Sequence, residues 1–384
     1  MWIKRRDKII NTILRPIIYS YLKIFYNIKI DKPRGFKNGA IIFSNHVMKI
    51  DPLIVGVMIS NPIYYIANED ISDNKYSNKL INFFFRPILK ARNKNIDFRT
   101  IRYATMVSKE NGIVGIFPEG KMSLTGENNK ISISTIKLCK RLKKPIVVIN
   151  IEGGYQSNPS WSINRRKGPI KATFKNIYSY DDYKDIDNEI LYNKISSDLN
   201  VDNLNNDYEY KGKNLALYLE RILYVCPCCK KKNTISTNGN YISCTSCGLR
   251  VEYKPNLKLI GNRDSFKLNS INSWYKYDIE EISNKIYKDN DIIYRDDCKV
   301  YILKTHKKDV LLGMGTIYLY NDKFLFKLDS QTIILEFNII NNVELYGDLY
   351  MDIFIKNDIY RVKGNIRTNL VKYIDIYNLI KENR

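Results

Sequence analysis

Three absences limit what this chain can do. No stretch of about 20 residues is free of charged side chains, so the sequence predicts no membrane-spanning helix. The start of the chain lacks an uninterrupted apolar segment followed by a small-residue cleavage site, so we expect no secretory signal. No serine lies in a Gly-x-Ser-x-Gly motif, which argues against a hydrolase with a serine nucleophile.

Histidine is also scarce, with two residues among 384. One of them, His46, is separated from Asp51 by four residues. A carboxylate beside a histidine fixes the imidazole tautomer and stabilises the imidazolium that forms when the ring takes a proton. The pair therefore predicts a general base that deprotonates a hydroxyl for acyl transfer.

The same two residues fit a structural interpretation. His46 follows the apolar run 40–43, which predicts a buried strand. Asp51 precedes Pro52, as a helix N-cap precedes proline at the first helical position. On this interpretation Asp51 only caps a helix, and the pair alone leaves both interpretations open.

A second polar segment favours the catalytic interpretation of the His46 and Asp51 pair. The apolar run 113–117 predicts another short strand, and Pro118, Glu119 and Gly120 follow it directly. Each polar cluster therefore follows the carboxyl end of a predicted strand. In open α/β sheets, ligands bind at the edge formed by these carboxyl ends.

These two segments resemble the signatures of the glycerolipid acyltransferase superfamily, and of its 1-acylglycerol-3-phosphate acyltransferases in particular. The family has a box of Asn, His, four residues and Asp, followed by a Phe-Pro-Glu-Gly box, and both occur here in that order. Arg92 resembles the family's intermediate arginine, and 145–153 resembles its apolar block ending in glycine. The resemblance covers roughly residues 30 to 165.

The resemblance implies a role for each matching residue. His46 would be the general base, Asp51 would orient it, and Glu119 would position the acceptor. Arg92 would hold the acceptor phosphate, which suits a planar guanidinium with forked donors. The resemblance places these further residues at the substrate: Asn45, Pro118, Gly120, Lys121 and Ser123. The cosubstrate would be acyl-CoA or acyl-carrier protein, with a glycerol phosphate or lysophospholipid acceptor and no catalytic cofactor.

One departure from the family pattern concerns the acceptor. The family often continues its Phe-Pro-Glu-Gly box with threonine, arginine and serine, whereas this chain has Lys121, Met122 and Ser123. A second phosphate-binding arginine is therefore absent, and Lys121 offers a cation one residue out of register. The sequence does not single out lysophosphatidic acid as the acceptor.

Alternating strand and helix patterns over 31–224 predict an α/β domain, a mixed sheet flanked by helices, and the resemblance implies that this is the acyltransferase domain. A closing helix is predicted over 214–224. Beyond it we expect a zinc ribbon over 225–252, a linker with a helical segment over 253–294, and a small mainly-β domain over 295–384.

Basic residues dominate the chain, with 62 Lys and Arg against 40 Asp and Glu and a formal net charge of +22. Such a surface attracts nucleic acid, anionic lipid or acidic substrates. Residues 1–30 combine basic side chains with apolar ones at helical spacing, and Trp2 stands at the tip. This predicts an amphipathic helix lying on an anionic leaflet at the cytoplasmic face. An ordinary helix packed on the domain is the alternative.

Two cysteine pairs predict a metal site. Each pair encloses two residues, and fourteen residues separate the pairs. This is the spacing of a zinc ribbon, in which four thiolates surround one structural ion tetrahedrally. The predicted ligands are Cys226, Cys229, Cys244 and Cys247. Cys228 is a spare thiol whose register competes with Cys226, and disulfides are the alternative arrangement.

The last ninety residues predict seven short strands and one helix. The strands are expected at 300–303, 315–320, 323–328, 332–337, 342–345, 351–355 and 359–362, with the helix after residue 369. This pattern resembles a pleckstrin-homology or GRAM-like barrel. A rival to the enzyme hypothesis is a zinc-ribbon module that binds nucleic acid or lipid beside a non-catalytic acyltransferase-like domain. We expect membrane lipid rather than nucleic acid as the partner.

Overall fold

The computed structural model describes residues 2–69, 75–90, 97–202, 208–285, 291–303, 309–347, 350–356 and 358–382. The chain divides into two compact units. The first comprises residues 1–159 and 165–211, and the second comprises residues 160–164 and 212–384.

The first unit is built on a seven-stranded sheet flanked by helices. Its elements are α1 (Arg5–Tyr26), β1 (Ile28–Ile30), β2 (Ala40–Ser44), α2 (Asp51–Met58), β3 (Ile63–Asn68), α3 (Lys75–Phe84), β4 (Ile88–Lys90), α4 (Phe98–Lys109), β5 (Ile113–Ile116), α5 (Ile133–Leu142), β6 (Ile146–Glu152), α6 (Gly154–Ser157), β7 (Ile170–Tyr178), α7 (Tyr180–Tyr183) and α8 (Asn188–Leu199). The strand order is β1-β7-β6-β2-β5-β3-β4. Only the β6–β7 pair is antiparallel, so the predicted mixed α/β sheet is confirmed.

Both faces of this sheet are covered, which explains why its central strands are continuous apolar runs. Alternate residues of one strand enter different cores: Ile42 packs with α1 and α2, whereas Ile41 and Phe43 pack with α4, α5 and α8. The polar residues that follow β2 and β5 therefore emerge at one edge of a sheet buried on both sides.

Helix α1 has one buried face and one exposed apolar face. Leu22 is fully buried against α2, whereas Ile13 and Ile17 are exposed. Trp2 does not extend outward as the sequence suggested. Its ring lies 4.7 Å from the ring of Tyr103, and its backbone N–H donates to Glu110. Among the described residues, no helix combines the length and apolar character needed to cross a membrane.

The second unit holds a four-stranded sheet and a seven-stranded sheet. Its elements are a 3-10 helix (Leu219–Arg221), β8 (Ile235–Asn238), β9 (Tyr241–Cys244), β10 (Arg250–Tyr253), β11 (Leu259–Gly261), α9 (Ile271–Ser283), β12 (Tyr294–Leu303), β13 (Val310–Leu319), β14 (Lys323–Leu328), β15 (Thr332–Glu336), β16 (Asn342–Tyr346), β17 (Tyr350–Ile355), β18 (Asp358–Lys363) and α10 (Val371–Glu382). The larger sheet has the order β15-β14-β13-β12-β18-β17-β16. Strand β12, the first of these along the chain, therefore pairs with both β13 and β18, the second and the last along the chain. The seven predicted strands and the final helix are all present, although β12 and β13 begin six and five residues earlier than predicted, and the mainly-β C-terminal region is confirmed.

The helix predicted over 214–224 is wrong. The segment forms turns and the short 3-10 helix, because Tyr218 adopts a left-handed conformation with φ of 75°. Two of its backbone N–H groups bond to the β8–β9 hairpin, from Leu215 to the Asn240 side chain and from Tyr218 to the Thr237 hydroxyl, while others bond to carbonyls three residues earlier. Apolar spacing alone does not reveal this interruption of the backbone.

Candidate active site and metal centre

The loop between β2 and α2 brings His46 and Asp51 together. His46 Nδ1 lies 2.9 Å from Asp51 Oδ2. The same oxygen accepts the backbone N–H groups of Val47 at 2.7 Å and Met48 at 2.8 Å. Asp51 is the first residue of α2 rather than its N-cap, and its carboxylate faces back into the loop. The N-cap interpretation is therefore wrong.

This geometry suits a general base. Asp51 is fully buried, whereas the His46 side chain is 21% exposed. A carboxylate at Nδ1 holds the proton on that nitrogen, so that Nε2 is the basic atom. No described residue is hydrogen-bonded to Nε2, which leaves it available to a hydroxyl.

An aromatic stack fixes the imidazole plane. The Phe117 ring lies between His46, with centroids 4.5 Å apart, and Tyr65, at 5.8 Å. The Tyr65 hydroxyl donates to the Pro52 carbonyl at 2.8 Å. Burial, and then the nearby Asp51 carboxylate, holds the pKa of Tyr65 well above its ordinary value, so the phenol keeps that proton.

The Tyr65 ring needs a glycine beneath it. Gly115 pairs with Tyr65 across β3 and β5, and a Cβ on Gly115 would lie 2.4 Å from the Tyr65 ring. Tyr65 was not among the site residues predicted from the sequence. A glycine inside an otherwise apolar strand signals a close approach, although not by which side chain.

Glu119 holds the backbone of the histidine. Its Oε1 accepts the His46 N–H at 3.0 Å, and its Oε2 accepts both the backbone N–H and the side-chain amide of Asn129, at 2.7 and 3.1 Å. Burial raises the pKa of Glu119 above its ordinary value, opposed by these bonds from Asn129 and His46. Both carboxylate oxygens thus have protein partners.

The other predicted substrate residues differ in position. Asn45 is fully buried, and its amide pairs with the Ile151 backbone at 2.9 and 2.8 Å, which joins the loop to the end of β6. The Ser123 hydroxyl donates to the Glu127 carbonyl at 2.7 Å and accepts the Gly126 N–H at 2.9 Å. Both side chains therefore stabilise loops.

The remaining predicted substrate residues differ in exposure. Gly120 and Lys121 are exposed at the edge of the sheet, whereas Pro118 is buried. Gly120 has φ of 72°, a conformation that favours glycine. Arg92 lies outside the described residues.

An open groove lies between α1 and α2. Pro52, Leu53 and Gly56 of α2 line one side of it, and Ile10 and Leu14 of α1 line another. Tyr65 also lines the groove, and the Phe117 ring contacts both Tyr65 and His46. Most of the lining side chains are apolar, and the polar or charged exceptions include Asp7, Asn11 and Arg15.

The four predicted cysteines of the second unit form one cluster. Their sulfur atoms all lie within 4.8 Å of one another. Cys226 Sγ is 3.7 Å from Cys247 Sγ, and Cys229 Sγ is 3.7 Å from Cys244 Sγ. Zinc bonded to four sulfurs at about 2.3 Å would place them about 3.8 Å apart, so the cluster fits the ion. The thiols are free rather than joined as disulfides.

Two matching turns build this cluster. Lys230 N–H donates to the Cys226 carbonyl at 2.8 Å, and Gly248 N–H donates to the Cys244 carbonyl at 3.0 Å. Lys230 and Gly248 both have positive φ, of 58° and 72°. Each cysteine pair is thereby folded into a knuckle. Cys228 lies outside the cluster, with its sulfur 3.5 Å from the Ser265 hydroxyl.

Helix α9 anchors the first knuckle. Asp278 accepts the backbone N–H groups of Tyr224 and Val225 at 3.0 and 3.2 Å, and the Trp274 indole donates to the Val225 carbonyl at 2.9 Å. Burial raises the pKa of Asp278 well above its ordinary value. Tyr224 and Val225 also belong to the core of the larger β-sheet. The ribbon and that sheet are therefore parts of one packed unit.

The fold and the site define an α/β domain with a His–Asp pair at the edge of its sheet, joined to a four-cysteine ribbon. Residues 24–171 match the protein-family model described as "Acyltransferase". Residues 219–258 match the zinc-ribbon model described as "DNA directed RNA polymerase, 7 kDa subunit". The first part of the chain is thus an acyltransferase domain, and the segment with the four cysteines is a zinc ribbon.

One solved structure that resembles the chain is the 1-acyl-sn-glycerophosphate (LPA) acyltransferase PlsC from Thermotoga maritima. The two share 15% identity with a TM-score of 0.41, over 51% of this chain and 80% of that one. No curated protein matches the chain.

Proposed function

We propose that the protein transfers a fatty acyl group from acyl-CoA or acyl-carrier protein to the hydroxyl of a glycerol phosphate or a lysophospholipid. The observation that carries this proposal is the 2.9 Å contact between His46 Nδ1 and the buried Asp51 carboxylate, with the imidazole partly exposed. The matching acyltransferase family model supports the reaction class.

The proposed reaction needs one proton carrier. His46 Nε2 takes the proton of the acceptor hydroxyl as its oxygen attacks the thioester carbonyl carbon. The tetrahedral intermediate then collapses, the carbon–sulfur bond breaks, and the imidazolium returns the proton to the leaving thiolate. Asp51 stabilises the imidazolium between these two steps. No residue of the protein needs to be acylated.

The acceptor and acyl chain are proposed to reach the site from a membrane surface. The exposed face of α1 presents Ile9, Ile13, Ile17 and Ile24 beside basic side chains. Helix α3 continues this apolar surface, because the Arg6 guanidinium of α1 lies 5.1 Å above the Phe83 ring. The groove below α1 is proposed to receive the acyl chain, and a single zinc ion is proposed to stabilise the ribbon.

The direct test is mass spectrometry of lipids after incubating the purified protein with a panel of lysolipids and both thioesters. We expect one acceptor class to gain an acyl chain. Replacing His46 by alanine is expected to lower turnover by roughly 10² to 10⁴, which is the usual worth of a general base.

The chain offers a matched control in its second histidine, since His306→Ala removes an imidazole elsewhere in the sequence. This variant is expected to keep normal turnover. Near-normal turnover by a folded His46→Ala variant would contradict the proposed mechanism.

A further inference from the structure

The main chain of His46 is held at both of its polar groups by one loop. The His46 N–H donates to Glu119 Oε1 at 3.0 Å, and the His46 carbonyl accepts the Ser123 N–H at 2.9 Å. Both partners belong to residues 117–129, which we call the clamp loop. Because the ring follows its own backbone, the clamp loop helps to set where Nε2 lies.

Asn129 closes the clamp loop. Its backbone N–H and its side-chain amide both donate to Glu119 Oε2, at 2.7 and 3.1 Å. The same amide nitrogen lies 3.3 Å from the Lys121 carbonyl. Asn129 thus bonds to the carboxylate that holds the histidine and to the turn that follows this carboxylate.

We propose that Asn129 is a positioning residue for His46 and acts through Glu119. The proposal rests on the proposed function, in which His46 is the base. It assigns Glu119 to orientation of the histidine, because the carboxylate is buried, one of its oxygens accepts the His46 N–H, and the other accepts the bonds from Asn129. Small misplacements of a catalytic group have large effects on rate, so loss of the Asn129 amide is expected to lower kcat more than it changes KM.

Two substitutions separate positioning from a general structural role. Asn129→Ala removes one donor to an ionised group and is expected to lower kcat roughly tenfold, with both KM values within about twofold of the unchanged protein. The ratio of the kcat of Asn129→Ala to the kcat of the unchanged protein should not vary with pH.

Asn129→Asp places a second carboxylate at the position of the amide, about 3.1 Å from Glu119 Oε2. Two ionised carboxylates repel, whereas a pair that shares one proton regains the hydrogen bond. The kcat of Asn129→Asp relative to the unchanged protein should therefore rise as the pH falls.

Asn369→Ala is the control for the loss of a buried side-chain amide. The Asn369 amide donates to the Glu220 carbonyl at 3.0 Å, in the second unit and outside the clamp loop. We expect kcat within twofold of the unchanged protein. An equal loss in Asn369→Ala, a kcat of Asn129→Ala within twofold, or a pH-independent ratio for Asn129→Asp would overturn the proposal.

A second measurement does not depend on turnover. The chain has two histidines, so ¹⁵N-histidine labelling gives two imidazoles and two backbone amides, and His306 is an internal reference. Asn129→Asp is expected to move the backbone amide signal and the imidazole nitrogen signals of His46 alone. If the unchanged protein transfers no acyl group, the proposed function fails. His46 signals unaltered by Asn129→Asp would overturn the link from Asn129 to His46.

Discussion

Substitutions of Gly56 test whether the groove binds the acyl chain. Gly56 lies on α2 at the groove wall, and a Cβ added there would meet only the Tyr65 hydroxyl, at 4.0 Å. Gly56→Leu would therefore fill the groove rather than distort the helix. If the groove holds the acyl chain, this variant should favour thioesters several carbons shorter.

The measurement is the ratio of kcat/KM for a series of thioesters from short to long chains. Gly56→Ala is the graded control and should shift the preference less than leucine does. Both substitutions should stabilise the fold by about 0.5–1 kcal/mol, because glycine is unfavourable inside a helix. An unaltered chain-length profile in a stable Gly56→Leu variant would exclude the groove as the acyl site.

Local spacing carries only part of the information about the site. The contact between His46 and Asp51 is predictable because a short loop joins them and the sheet edge fixes where that loop starts. Tyr65 and Asn129 are not predictable in this way. Their partners, Phe117 and Glu119, become neighbours only through sheet pairing and the return of a loop, and no periodicity in the sequence marks such contacts.

Strands and helices were predictable where burial follows a simple period. Strand β14 alternates between buried and more exposed residues, and the central strands of the first sheet, such as β2 and β6, are continuous apolar runs. The segment 214–224 has helical spacing, yet Tyr218 has a positive φ and two donors of the segment find partners on the β8–β9 hairpin. Burial patterns report which side chains are inside, not which backbone groups pair.

The two knuckles make a prediction at the scale of an element. Four thiolates at tetrahedral spacing should bind one zinc ion per chain, and the free energy of binding structural zinc is about 10–16 kcal/mol in zinc-finger peptides. Cys229→Ser should abolish zinc binding and lower the melting temperature of the second unit. Metal content by elemental analysis and thermal unfolding are the measurements.

Cys228→Ser is the matched control for the zinc prediction. It changes the neighbouring thiol, which lies outside the cluster. This variant should retain one zinc ion and an unchanged melting temperature. Zinc retained by a Cys226→Ser variant and lost by Cys228→Ser would show that Cys228 replaces Cys226 as a ligand.

At the scale of the whole molecule, the proposed membrane association would use the surplus of basic residues together with the exposed apolar face of α1. A net charge of +22 attracts an anionic leaflet over roughly one Debye length, and the exposed isoleucines then have apolar surface to bury in the interface. Charge alone does not distinguish lipid from nucleic acid. The apolar row on α1 does, because isoleucine gains little from a phosphate backbone.

This predicts that Ile13→Glu combined with Ile17→Glu will weaken binding to vesicles of phosphatidylglycerol and phosphatidylcholine. The two side chains are 57% and 60% exposed, so their loss should leave folding intact. Burying an isoleucine is worth about 1.5–3 kcal/mol, and the double variant should bind at least tenfold more weakly in a flotation or sedimentation assay. Ile190→Glu, on α8, changes an isoleucine of similar exposure, 53%, on the opposite face of the sheet and should bind normally. Equal losses in both variants would assign the attraction to net charge and not to the α1 face.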